Sequence, residues 1–154
     1  MTDTAPLSAR SYLPQDRGDC LAVFDSNLPK FFAPEERADF DLFLGELTEG
    51  NDYLLLLLGQ EVVGCGGLTR EAGEDSALLV WGMVRRDLHR RGLGRALLQA
   101  RLDQARRMSG VRQVRLATSQ HSAPFYAGFG FQVTRSEANG FGEGIDRIDM
   151  VLTL

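Results

Sequence analysis

The segment His89-Arg90-Arg91-Gly92-Leu93-Gly94-Arg95 brings together the residue types that bind phosphate, at the start of an apolar-periodic stretch. The first N–H groups of a helix have no intrahelical partner and lie at the positive end of its macrodipole, so an anion placed there collects several hydrogen bonds. Gly92 and Gly94 carry no Cβ to block close approach. Arg90, Arg91 and Arg95 can add charge-assisted contacts. By itself, a Gly-x-Gly opening a helix is a weak signal. Two other nucleotide loops fit poorly. A P-loop needs Gly-Lys-Ser/Thr, and the sole lysine is Lys30. A dinucleotide fingerprint wants a third Gly or Ala near Leu97 and an acid near Thr118 and Ser119.

The charge distribution supports a focused anion site. Between residues 85 and 115 there are ten arginines against Asp87 and Asp103, a local balance of +8 in a chain whose net charge is −4. An acidic body with one basic segment argues against a nucleic-acid surface, which usually makes the whole domain basic. A solvated, Arg-rich helix face is the other reading. Nothing at the start reads as a signal peptide, and the apolar run at 53–58 is too short to span a bilayer. Cys20 and Cys65 form no disulfide framework or metal cluster, and they fit a reducing cytoplasm as buried thiols. The 154 residues are expected to form one domain, 1–154.

The elements that must hold the loop follow from periodicity. Residues 9–13 suggest an edge strand and 16–26 a first helix, broken at Asn27-Leu28-Pro29. Pro34-Glu35-Glu36 opens a second helix, with Phe40, Phe43, Leu44 and Leu47 at helical spacing and a stop at Gly50. Apolar runs at 53–58 and 62–68 read as a hairpin of central strands, and 77–84 as a third strand. Gly82 inside that strand marks either a bulge or a packing site. Residues 93–108 form the clearest helix, with Leu97, Leu98, Leu102, Ala105 and Met108 on one face. Then come a strand at 111–118, a short helix at 122–128, a strand at 131–135, a glycine-rich turn at 139–144 and a final strand at 145–154.

A second motif, Phe125-Tyr126-Ala127-Gly128-Phe129-Gly130-Phe131, follows the glycine loop by about 30 residues. With these two motifs in order, the sequence resembles the GNAT superfamily of acyl-coenzyme A-dependent N-acetyltransferases over essentially its whole length. The family's Gln/Arg-x-x-Gly-x-Gly/Ala signature is matched by residues 89–94, with His89 at the Gln/Arg position, and Ser119 stands where many relatives place Asn. The resemblance implies an α/β (α+β) fold: a central, mixed, mostly antiparallel twisted sheet of about seven strands flanked by four helices, with a splayed, bulged strand pair forming the cofactor cleft.

It also implies direct transfer of an acetyl group from acetyl-CoA to an amine while both are bound. The pantetheine arm would pair with the backbone of Met83 and Val84, and the pyrophosphate with His89 to Arg95, with Ser119 and Phe125 nearby. Tyr126, protonated at neutral pH, is the candidate acid for the leaving thiolate. The acceptor would meet Asp25, Phe31, Phe32, Trp81 and His121; the loop at 25–32 suits a small amine, an amino-acid-like compound or a peptide N-terminus. No general base is assigned: His121, Glu143, Asp146 and Asp149 all have ordinary structural readings. The enzyme is expected to act in the cytoplasm on acetyl-CoA and an amine, with no nucleic-acid or membrane partner and with a homodimer left open. A silent acyl-CoA sensor is the reading from another functional class.

Overall fold

A computed structural model describes residues 5–70 and 75–154. They build a seven-stranded sheet, ordered β1-β2-β3-β4-β5-β7-β6. Its strands are β1 (Leu7–Ser11), β2 (Tyr53–Leu58), β3 (Glu61–Arg70), β4 (Ser76–Val84), β5 (Gln113–Thr118), β6 (Gln132–Gly142) and β7 (Ile145–Thr153). The helices are α1 (Arg17–Ser26), α2 (Glu36–Gly45), α3 (Leu93–Arg107) and α4 (Ala123–Ala127). Only β4 and β5 pair in parallel, and these are the neighbours joined through a helical crossover, α3. The expected mixed, mostly antiparallel sheet with four helices is therefore the observed one.

Both faces of the central strands are covered, which explains their continuous apolar runs. On one face Cys20, Val23, Phe24, Phe40 and Leu44 of α1 and α2 pack against Tyr53, Leu55, Cys65 and Met83. On the other, Leu98, Leu102 and Ala105 of α3 meet Leu68, Leu79, Val114 and Leu116. Alternation along β2 sends Leu55 and Leu57 to the first cluster and Leu56 to another, beneath Leu93 and Leu97.

Several boundaries differ from the sequence expectations, β5 for example starting at Gln113 rather than 111, and three of the differences have a visible form. The first strand is Leu7–Ser11, two residues earlier than periodicity suggested. Helix α2 stops at Gly45, before residue 50: the Glu46 and Leu47 N–H groups close three-residue turns on the Phe43 (3.1 Å) and Leu44 (3.3 Å) carbonyls, and Asn51, bonded to the carbonyls of Thr48 (2.8 Å) and Tyr12 (3.2 Å), shapes the turn entering β2. Strand β6 continues through the glycine-rich segment to Gly142. The left-handed Asn139 (φ 57°) lets the strand break register and rejoin β7, leaving the turn at Glu143 and Gly144.

The feature that positions the site is a split in the sheet. β4 and β5 pair only from Ser76↔Gln113 to Leu78↔Arg115, after which β4 runs on to Val84 and β5 to Thr118 without pairing. On its other side β4 carries a bulge: Cys65↔Met83 and Gly67↔Val80 leave Trp81 and Gly82 opposite Gly66. Trp81 sits at φ 44°, and its carbonyl accepts the Tyr53 hydroxyl at 2.7 Å. The splayed, bulged strand inferred around Gly82 is thus present.

Candidate active site

At the head of α3, Arg90 (φ 67°) and Gly92 (φ 81°) are left-handed while Arg91 between them is not. This alternation turns successive backbone N–H groups toward one point, a concavity suited to an anion. The Ala96 N–H closes the first helical turn on the Gly92 carbonyl at 3.1 Å, so the N–H groups of Leu93, Gly94 and Arg95 face out of the helix end. Arg90, Arg91 and Gly92 are exposed, and no carboxylate of the described residues forms an ion pair with either arginine. The chemistry of this donor set fits a pyrophosphate. The basic segment does not act as a whole: Arg85 is held by Asp87 (2.7 Å) and Glu61, and Arg106 lies 3.6 Å from Asp103.

The two sequence motifs meet here. A Cβ built on Gly94 would lie 3.5 Å from Cζ of Phe125, a half-exposed ring. Arg95 stacks over Phe129 with its guanidinium carbon 4.8 Å from the ring centroid. Tyr126, half-buried, packs edge-on to Phe125 (5.1 Å) and Phe131 (5.7 Å). Ser119 starts α4: its carbonyl accepts the N–H groups of Ser122 (3.1 Å) and Ala123 (2.9 Å), and its hydroxyl accepts that of His121 (3.3 Å). Ser119 is buried and so engaged in shaping this turn.

The α1–α2 loop bridges the split. Asn27, buried, donates from Nδ2 to the Val84 carbonyl at 3.0 Å, and His89 Nε2 donates to the same oxygen at 2.8 Å. That contact fixes the proton on Nε2. Phe31 meets His89 on the β4 side (5.1 Å, 72°) and His121 on the β5 side (5.9 Å, 75°). Beyond it, a Cβ on Gly142 would lie 2.8 Å from that of Ala33, so the β6–β7 hairpin touches the same loop. Gln120 anchors this hairpin, donating to the Gly144 carbonyl (2.9 Å) and accepting from the Asp146 N–H (2.8 Å).

Other expected acceptor residues have structural partners. Asp25 is exposed and holds Arg37 through two contacts, 2.7 and 3.1 Å. Phe32 stacks on Phe24 at 4.7 Å, and Trp81 lies among Phe24, Phe32, Phe40 and Phe43. Met83 pairs with Cys65 in the sheet. The acids weighed as bases are also placed: Asp146 accepts the Asn139 N–H at 3.0 Å and Asp149 pairs with Arg147 at 3.0 Å. Cys20 and Cys65 are buried free thiols; Cys65's hydrogen bond and burial push the Cys20 thiol far up, so Cys20 is not an activated nucleophile.

Two residues escaped the sequence reading. Glu36 is half-buried, accepts the Ala33 N–H at 2.8 Å, and is held above the usual carboxylate range by burial. Arg101 is buried, although it stands four residues after Leu97 and four before Ala105, on the apolar stripe of α3. That spacing was the available signal.

The sequence matches the acetyltransferase (GNAT) domain model over residues 30–154, and the chain belongs to this family. GNAT acetyltransferases generally use acetyl-CoA as cosubstrate. Among solved structures it is similar to a GNAT-family protein from Desulfovibrio desulfuricans, with 27% identity, a TM-score of 0.79, and coverage of 96% of this chain and 99% of that one. The ribosomal-protein-S18-alanine N-acetyltransferase of Escherichia coli shares its fold at 21% identity, TM-score 0.76, covering 96% and 94%. Ard1 of Thermoplasma volcanium does so at 19% identity, TM-score 0.74, covering 96% and 97%. No curated protein matches the sequence significantly.

Proposed function

We propose that this chain is a single-domain, cytoplasmic N-acetyltransferase that moves an acetyl group from acetyl-CoA to a primary amine by direct attack in a ternary complex. The observation that carries the reading is the alternation of left-handed residues Arg90 and Gly92 at the open end of α3, beside the split between β4 and β5. The N–H groups of Leu93, Gly94 and Arg95 hold the pyrophosphate, Arg90 and Arg91 neutralise it, and Phe125 flanks it. The arm of the cosubstrate lies in the split beside Met83 and Val84 and substitutes for the missing strand contacts. Backbone N–H groups of the bulged strand face the thioester oxygen, where negative charge develops. Tyr126 protonates the departing thiolate.

The acceptor enters beneath the α1–α2 loop, between Phe31 and the β6–β7 hairpin. A small amine or amino-acid-like compound fits this reading. A peptide N-terminus is the second, favoured by the way the loop and hairpin meet at Ala33 and Gly142 and by the E. coli protein's similar fold. Calorimetry with acetyl-CoA and a thiol-release assay over small amines and peptides test both. Binding without thiol release from any amine would make the chain an acyl-CoA sensor; absence of binding would remove the proposal.

A further inference from the structure

Among the described residues, none neutralises the buried cation Arg101. It is 2% exposed, its Nε–H is buried without a hydrogen-bond partner, and no carboxylate of the described residues forms an ion pair with it. Buried charges are ordinarily paired, because leaving water is costly for an ion. The sheet makes room for this one with two glycines. A Cβ on Gly66 would stand 3.0 Å from Cζ and 3.2 Å from Nε; one on Gly82 would stand 2.6 Å from Nη2 and 2.7 Å from Nη1.

These distances orient the group. Nε lies toward β3 and Nη2 toward β4, and from Leu79 on β4 has no partner on its β5 side, although Met83 and Val84 still pair with β3. The charged end therefore backs onto the bulge that walls the split. The Tyr53 hydroxyl, the titratable group sensing this charge, is held protonated by burial and bonded to Trp81, so it does not cancel the charge. The Gln104 oxygen, three residues along α3, is buried without a partner and does not bond to the guanidinium.

We propose that Arg101 stabilises, across Gly82, the negative charge that acyl transfer creates in the split; this rests on the function proposed above. The amine lone pair forms the C–N bond while the carbonyl π pair moves to oxygen. Collapse re-forms the carbonyl and breaks the C–S bond, whose pair leaves on sulfur, and the ammonium proton passes to solvent. Arg101 transfers no proton. It is a positioning residue whose field lowers the energy of the oxyanion and then of the thiolate, which Tyr126 protonates before taking a proton back from solvent.

The test titrates the thiol of free coenzyme A bound to the protein, following the ultraviolet absorbance of the thiolate. The bound thiol is expected about one unit or more below the usual value of ~8.5. R101K should keep that depression, whereas R101M should return it to about the usual value. An unshifted thiol in the native protein, or a shift that persists in R101M, overturns the proposal. If R101M does not fold, R101Q, which also removes the charge, takes its place in the same titration with the same two outcomes. Calorimetry on the same samples separates the two readings, because failure to bind coenzyme A at all removes the proposed function itself.

Discussion

Phe125 lies on Gly94 at a distance that leaves room for a methyl group: a Cβ there would meet the ring at 3.5 Å, ordinary van der Waals contact. Residues 31 apart in sequence thereby form one wall, with the helix end below and the aromatic rim of α4 beside it. Gly94→Ala is accordingly expected to fold as the native protein does, so any loss of cofactor affinity would report the approach of the ligand. Thermal unfolding and acetyl-CoA calorimetry on the same sample check both halves.

Gly92 is a different case. Nothing lies within 4 Å of a Cβ built there, but its φ is +81°. Gly92→Val should weaken acetyl-CoA binding severely by rotating the cradle's N–H groups, while costing about 1–3 kcal/mol of backbone strain and leaving the fold intact. Unchanged affinity by calorimetry would count against the anion site.

Tyr126→Phe keeps the ring between Phe125 and Phe131 and deletes the hydroxyl. With an acceptor in hand, kcat should fall about 10²- to 10⁴-fold with little change in acetyl-CoA affinity or melting temperature. A variant retaining nearly full kcat would make Tyr126 a packing residue.

Gly67 is constrained by sterics. A Cβ there would stand 2.6 Å from Cδ1 of Tyr53, a ring 1% exposed and tethered to the Trp81 carbonyl. Gly67→Ala should cost about 1–3 kcal/mol of stability, measured as the shift in urea midpoint. A variant as stable as the native protein would show that the ring can move.

Asp16 supplies a pH dependence. Its buried carboxylate takes Arg10 at 2.8 and 2.9 Å and the Leu13 N–H at 2.8 Å, and the Arg10 bond holds it below the usual carboxylate range. A depressed folded-state value gives stability that is present above the unfolded value, about 3.9, and is lost as pH falls through the folded one. Asp16→Asn should therefore lose about 1–3 kcal/mol at pH 7, toward the lower figure because Arg10 is 42% exposed, with the difference closing in acid. Urea melts at several pH values measure it.

The sheet and both ligand motifs were legible because each is local. Apolar runs, helical periodicity and the glycines at 92 and 94 act within a few residues of themselves. Arg101 was missed because an arginine is read as solvated, although its place among Leu97, Leu98 and Ala105 pointed inward; what admits it is the pair Gly66 and Gly82, on other elements. Asp25 was set beside the acceptor because the resemblance puts the loop at 25–32 there, and only the packing of α1 against α2 shows that Arg37 also holds it. Nothing near Phe31 in sequence told that its ring would lie between His89 and His121. The extension of β6 was hidden by its glycines, which read as a turn until β7 is laid alongside.

The bridge made by Phe31 and Ala33 has a topological consequence. A split sheet alone is an open slot, and a long chain can be laid into it anywhere along its length. Once the α1–α2 loop reaches the hairpin at Gly142, the slot becomes an eyelet. An eyelet is threaded from an end, so on the function proposed above an acceptor would have to present its amine end-on, past Phe31 and Ala33.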